Sequence, residues 1–454
     1  MRLNKQTLLE LFHLALPMVV SQGAFALMMF ADRFFLSRIS PTHVAAAMGG
    51  SVSFWVCLCF FNALASYGNA LVAQYFGKRE LHRCPQVLTH GLLLAVFSQP
   101  LVWALAVPVS SLFVLMGHAP ELVALEKPYF TTFMYGSLIF LVKSVFAAYF
   151  SGIGRTRVVM IADVIGVILN VPLSYALIFG AWGAPELGIV GAALGTLIAA
   201  VLSIGIYLLF YLNPVHAARF HVRDSLVYSA GLMRRYLRLG LPSAFELLVA
   251  LGTFNVFLLL FQSYGVAAGA AMAIVFNWDM LSFVPLMGLN IAIMSLIGRA
   301  VGAGDMSRAN EVITAGFFIA VSYAGTLAVT FVILRTELLG IFATPGGDFS
   351  AVLAIGSPMM IGMGTYLVAD AFILVCTGVL RGAGDTRWLM ITSMIVHILM
   401  LVVQLLVILY WELPPLSAWW VFVGTLLINA CIYLWRVLGV RWRQPERLAR
   451  VMAE

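Results

Sequence analysis

Twelve apolar stretches along the chain are each long enough to cross a lipid bilayer. They run over about 11–36, 44–76, 86–116, 130–150, 158–180, 187–212, 236–262, 266–299, 311–334, 352–380, 388–411 and 416–440. A helix rises about 1.5 Å per residue, so roughly 20 apolar residues cross the hydrocarbon layer. Lipid offers no partner to a backbone N–H or C=O, so runs of this length read as helices that satisfy their own backbone. Only 10% of the 454 residues are charged and 62% are hydrophobic, against about 25% charged in a typical soluble domain. The expected fold class is therefore all-α and integral to the membrane.

Charges in the loops orient the chain. With the N-terminus on the cytoplasmic side, 21 of the 26 Lys and Arg residues fall in segments on that side, from Arg2 and Lys5 to the five arginines beginning at Arg436. The opposite side holds Arg33, Arg38, Lys127 and Arg335, and Lys143 falls inside the fourth span. Such a bias is the positive-inside pattern. It predicts a multi-pass protein of the cell (inner) membrane with both termini cytoplasmic, and it accounts for the formal charge of +7 without nucleic acid. Met1-Arg2-Leu3-Asn4-Lys5 precedes the first apolar run with no A-x-A-like site, so that run reads as a retained span. The five cysteines and eight histidines show no metal-ligand or disulfide spacing, so neither a cofactor nor a dedicated metal cluster is expected.

The two halves of the chain repeat one another. Leu16-Pro17 answers Leu241-Pro242, and Val72-Ala73-Gln74-Tyr75-Phe76-Gly77 answers Ile297-Gly298-Arg299-Ala300-Val301-Gly302 at the same spacing. Gly152-Ile153-Gly154-Arg155-Thr156-Arg157 answers Gly382-Ala383-Gly384-Asp385-Thr386-Arg387. Six spans per repeat is an even number, so both halves enter the membrane from the same side, related by a pseudo-twofold axis along its normal. The expected organisation is an N-lobe over 1–213, a cytoplasmic linker over 214–235, a C-lobe over 236–440 and a basic tail over 441–454. Two such six-helix bundles enclose a cleft whose ends can open alternately, which is the plan of a transporter.

These residues resemble the multidrug and toxic compound extrusion (MATE) family. The resemblance rests on Pro17 leading to Ala31-Asp32-Arg33-Phe34-Phe35 in the first span and on Val72 to Gly77 closing the second. It rests further on Gly188-Ile189-Val190-Gly191-Ala192-Ala193-Leu194-Gly195-Thr196 after the fifth span, and on Leu380-Arg381-Gly382-Ala383-Gly384-Asp385-Thr386 after the tenth. It implies a cation-coupled antiporter, with H⁺ favoured and Na⁺ the second possibility. Such a protein exports amphipathic, often cationic, organic compounds by alternating access and works as a monomer.

Five acids fall well inside spans: Asp32, Asp163, Glu246, Asp279 and Asp370. A carboxylate there costs several kcal/mol on insertion scales and must face protein or water, so each is a candidate for binding an ion or a substrate. Asp32 stands at the family's first-span acid, and Asn170 at a polar position of the fifth span. Ser174 stands where a proton-coupled branch carries a second Asp. Pro17 is the candidate hinge, since proline removes a backbone donor and permits a kink. Asp370 fits an acid of a sodium-coupled branch, whose span-seven Glu would fall at Ala250; Glu246 lies one turn earlier. Together Glu246, Asp279 and Asp370 form a possible Na⁺ site, because hard cations prefer oxygen ligands.

Asp163 reads as a partner for nearby cytoplasmic-side cations such as Arg157, and Lys143 as a snorkelling or acid-paired lysine. Phe25, Met28 and Met29 precede Asp32 and are candidate cleft residues, since aromatic faces attract cations and methionine adapts to varied shapes. Two other functions compete. A lipid-linked saccharide flippase would want a more cationic cleft than this acid-rich, nearly lysine-free interior, and a membrane-embedded enzyme would need a constellation such as H-E-x-x-H, which is absent.

Overall fold

A computed structural model describes residues 4–343 and 349–453; Arg2, Met1, Leu3 and Glu454 lie outside the described residues. Helices occupy all twelve apolar stretches. In chain order spans 1 to 6 are Lys5–Ser37, Pro41–Gly77, Arg83–Leu115, the pair Pro120–Tyr135 and Ser137–Gly152, Thr156–Phe179 and Gly188–Tyr211. Spans 7 to 12 are Ala230–Gln262, Val266–Ala303, Met306–Ile333, Ser350–Gly382, Thr386–Tyr410 and Pro415–Leu438. Span 4 bends by 47° between its two helices and starts ten residues before its apolar run. Glu121, Glu126, Lys127 and Pro128 had hidden that beginning.

Polar caps set several helix starts. Asn4 accepts from the Gln6 N–H at 3.0 Å, Asp305 from that of Arg308 at 2.9 Å, and Ser40 and Ser229 from those of His43 and Leu232. Each satisfies a donor that the first helical turn leaves free.

Three clusters of buried apolar side chains hold the spans together. One lies wholly in spans 1 to 6 and one almost wholly in spans 7 to 12, so each half has its own core. The third joins the halves at the end carrying the basic loops, where Tyr67, Tyr149 and Tyr207 meet Tyr236, Met294 and Val451. Span 1 packs on span 5 of its own half and on span 8 of the other; span 7 packs on span 11 and on span 2. The spans that correspond in the repeat thus make corresponding contacts, as two bundles about a pseudo-twofold axis must.

The repeated motifs meet on that axis. A Cβ on Gly77 would fall 2.1 Å from the Arg299 carbonyl oxygen, and one on Gly302 would fall 2.0 Å from that of Gln74. Only glycine lets spans 2 and 8 cross so closely. Gln74 Nε2 donates to the Gly382 carbonyl at 2.8 Å, and its counterpart Arg299 donates through Nε to Gly152, the counterpart of Gly382, at 3.4 Å. Gly152 abuts Asn69 and Val72 as Gly382 abuts Met294 and Ile297.

Basic residues of this face are not all solvated. Arg235 is 1% exposed and donates to Gln74 Oε1 at 2.6 Å and to the Val451 carbonyl at 2.9 Å. It thereby docks the C-terminal helix Pro445–Met452 into the seam. Arg436 donates to Asp385 Oδ2 at 2.8 Å, and Arg447 reaches the other oxygen.

Candidate functional site

A cavity of about 510 Å³ lies between the halves, bounded by spans 1, 2, 4, 5 and 6 on one side and 7, 8 and 10 on the other. The seam closes it at the basic face. Tyr67 donates to the Arg381 carbonyl at 3.1 Å and Ser295 to that of Ser151 at 2.8 Å. At the outermost rim, Arg308 links span 9 to Thr7 and Glu10 of span 1.

Phe25 and Met28 line this cavity, and Phe25 meets Trp55 edge-on at 5.4 Å. Met29, one helical position (about 100°) further round, does not line it. The charged lining differs from expectation. Lys143 Nζ lies 2.8 Å from Asp163 Oδ1, and Ser21 donates to Asp163 Oδ2. Asp163 therefore pairs across the bundle with Lys143 and faces the cavity, instead of serving Arg157 on the basic face. Sequence proximity favoured Arg157, but the packing of spans 4 and 5 brings Lys143 closer. Arg381, counted above among loop charges, also lines the cavity and pairs with Glu246. The interior thus holds two cation–acid pairs; it is acid-rich and nearly lysine-free as the sequence predicted, but Arg381 adds a cation that the loop assignment had placed outside.

Beside the cavity Asp32 is 3% exposed and accepts from Thr196 Oγ1 at 2.7 Å. Asn170 Nδ2 donates to Thr196 Oγ1 at 3.2 Å and to Ser174 Oγ at 3.1 Å. The small-residue run Gly188 to Thr196 makes this possible. A Cβ on Gly195 would fall 2.9 Å from Ser174 Cα, so span 6 lies against span 5 and carries Thr196 between Asn170 and Asp32. Two acceptors remain unpaired in the cluster, Asp32 Oδ1 and Asn170 Oδ1. Buried oxygens without donors carry a desolvation cost, and a proton or an oxygen-preferring cation relieves it. Asp32, Asn170 and Ser174 are thus brought together as the sequence suggested. Thr196, quoted only within its motif, is the member that sequence reasoning missed; its place in a run of small residues was the available sign.

The three acids of the second half are not brought together. Asp279 and Asp370 lie side by side with the buried Tyr366 hydroxyl next to both, close enough to Asp279 to hydrogen-bond it. Glu246 is held elsewhere by Arg381, which stands eleven residues beyond Asp370 on span 10, about 16 Å of helix rise. A cation site built from all three is therefore excluded by geometry. Its smaller version, from Asp279, Asp370 and Tyr366, is not. Pro17 is buried within span 1, and span 8 approaches just beyond it, where a Cβ on Gly288 would fall 2.7 Å from the Val19 nitrogen. Among the described residues no group of three or more His, Cys, Asp and Glu side chains is arranged to hold a metal ion.

Comparison with known proteins follows the same repeat. The MatE family model matches residues 17–176 and 242–406, one segment in each half. The chain is 28% identical over 453 residues to a probable multidrug resistance protein NorM of Thermotoga maritima, covering 97% of this chain and 94% of that one. It is 27% identical over 449 residues to the multidrug resistance protein MdtK of Edwardsiella ictaluri, covering 96% of each. A crystal structure of MATE in the bent conformation superimposes with a TM-score of 0.84 at 20% identity, over 99% of both chains.

Proposed function

Because the chain belongs to the MatE family of membrane transporters, we propose that it is a multidrug exporter that couples the outward movement of amphipathic, often cationic, organic compounds to the inward movement of H⁺. The relatives named multidrug resistance proteins, aligned over nearly their full lengths, support the export reading. The work is transport, not catalysis. The protein resides in the cell (inner) membrane as a monomer, with both termini and the basic face cytoplasmic. Segments 1–213 and 236–440 act as two lobes that rock about the 214–235 linker.

One observation carries the coupling: the buried Asp32 carboxylate, whose Oδ1 shares its cluster with an equally unpaired Asn170 oxygen. A proton on Oδ1 removes the buried charge and turns one orphan acceptor into a donor. It also changes what Thr196, Asn170 and Ser174 must satisfy, and so alters how span 1 packs on spans 5 and 6. With the cytoplasmic seam shut, a substrate leaves from the cavity toward the outside. Protonation of Asp32 favours the state in which span 1, bending at Pro17, reduces the cavity's hold on that substrate. Ion and substrate then compete through one conformational equilibrium. A second reading, Na⁺ coupling, is favoured by the adjacent carboxylates Asp279 and Asp370 with the Tyr366 hydroxyl beside them, since oxygen ligands suit a hard cation.

Proteoliposomes loaded with ethidium test the proposal. Efflux follows an imposed pH gradient in the wild-type protein, and Asp32→Asn uncouples it. If instead a Na⁺ gradient alone drives efflux and Asp370→Asn abolishes it, the second reading holds. Normal gradient-driven efflux by Asp32→Asn refutes the first.

A further inference from the structure

A second cavity, also of about 510 Å³, opens at the basic end of the seam, away from the ion and substrate residues. It is walled by the end of span 2, the helix Pro214–Phe220, the end of span 8 and the first turn of span 9. Four arginines line it, Arg79, Arg219, Arg299 and Arg308, against two acids, Glu10 and Asp305. The acids are committed. Glu10 pairs with Arg308, which also holds Glu311 at 2.8 Å, and an Asp305 oxygen caps the first turn of span 9.

The other three arginines make no direct ion pair among the described residues, and only Arg299 has an acid, Glu10, near enough to feel its charge. Arg299 sits over the Phe76 ring at 4.9 Å, and its Nη2 is buried with nothing to donate to. Arg219 lies over Phe220 at 5.7 Å. Arg79 is held with φ of 63°, in the left-handed region that a β-carbon disfavours, at the turn that ends span 2. Four guanidinium groups therefore line a space with two carboxylates, one paired to Arg308 and the other capping a helix, and the cationic charge is in excess.

We propose that this cavity binds a phosphate group, supplied by an anionic lipid headgroup or by soluble phosphate, and that the bound group bridges the two halves. The planar fork of arginine matches the oxygens of a phosphate, and several forks around one group are the arrangement that recognises it. A basic pocket between helices at the cytoplasmic surface is also where anionic headgroups lodge. Arg79 and Arg219 come from the first half, Arg299 and Arg308 from the second. The full set exists only while the Gln74–Gly382 and Arg299–Gly152 contacts hold the seam shut. A ligand that binds one conformation better stabilises it by that difference, so occupancy favours the closed seam. The proposal does not depend on what the protein transports, and its test measures binding alone.

The test uses the full-length protein purified in detergent. Native mass spectrometry measures binding of phosphatidylglycerol and of phosphatidylcholine, and thermal unfolding at matched ionic strength compares inorganic phosphate with chloride. Wild type retains phosphatidylglycerol over phosphatidylcholine, or is stabilised saturably by phosphate, and Arg79→Gln/Arg219→Gln weakens that binding at least tenfold. The control Arg223→Gln/Arg234→Gln removes two exposed charges of the same face and leaves binding unchanged. Arg79→Lys/Arg219→Lys keeps the charge without the fork and recovers only part of the affinity. Binding of phosphatidylglycerol alone assigns the site to a lipid headgroup, and stabilisation by inorganic phosphate assigns it to a soluble group. Equal weakening by the two Gln pairs, or no difference between wild type and Arg79→Gln/Arg219→Gln, overturns the proposal.

Discussion

Gly77→Ala places one carbon where spans 2 and 8 have left none. The new Cβ would sit 2.1 Å from the Arg299 carbonyl oxygen and 2.8 Å from its carbon, whereas a comfortable carbon–oxygen contact is about 3.3–3.6 Å. The obstructing atoms are backbone within a long helix, so no side chain can swing aside. The helices must separate by about 1 Å, which strains the Gln74–Gly382 and Arg299–Gly152 hydrogen bonds beside the contact. Overpacking of this kind costs about 1–3 kcal/mol. The cost falls only on the closed seam, because the contact is absent once the halves part. The equilibrium between seam-closed and seam-open states therefore moves by about 5–150-fold toward the open one.

Spin labels at Lys78 and Ala303, exposed on opposite sides of the seam, report this as a longer distance in pulsed EPR, in a background lacking the five native cysteines. Gly205→Ala is the control. Nothing lies within 4 Å of its added carbon, and alanine is favoured over glycine inside a helix by about 0.5–1 kcal/mol. It leaves the distances as in wild type. Wild-type distances in Gly77→Ala, or a drop in melting temperature with no change in distance, would mean that the seam is fixed packing and that the alternating-access argument fails.

Two more outcomes follow from the charges. Lys143→Met leaves Asp163 at the cavity wall without its cation, with Ser21 still donating to it; these side chains are 21% and 13% exposed, so the loss is below the 3–5 kcal/mol of a fully buried pair, about 1–3 kcal/mol. Lys143→Met with Asp163→Asn recovers most of it in a double-mutant cycle of thermal unfolding, and additive losses would show that the pair carries nothing. At the helix Pro214–Phe220 on the basic face, burial first, and then Arg155 and Arg219, holds His216 down to about 4 from 6.5. The unfolded chain takes up the proton near 6.5 and the native one only near 4. Stability consequently falls as pH drops through that interval, and His216→Gln flattens the slope. A melting temperature with the same pH slope in both proteins contradicts this.

Much of the architecture is legible in the sequence because the bilayer imposes a length and polarity rule on every span. Span 4 escaped that rule at its start, where two glutamates, a lysine and a proline interrupt the apolar run. The repeat was legible too, but not its purpose. Gly77 and Gly302 were seen as matching letters, and only the crossing of spans 2 and 8 shows that each clears the other's backbone. Three of the four residues clustered around Asp32 were visible; Thr196 entered it through the close approach at Gly195, which spacing along one helix cannot reveal.

By itself, then, the amino-acid sequence determined the number of spans, their duplication and the crowding of cations toward one face. These are properties of local composition, and lipid reads composition one segment at a time. Tertiary structure alone decided what each charge does. Arg381 and Arg235 belong by sequence to the basic loops, yet one faces the cavity beside Glu246 and the other is sealed in the seam against Gln74. Lys143 found Asp163 on a neighbouring span, and Glu246 was drawn away from Asp279 and Asp370. The reason is physical: a charge in a low-dielectric interior is settled by its nearest opposite charge or donor in space, and in a twelve-helix bundle that neighbour is set by packing between distant segments.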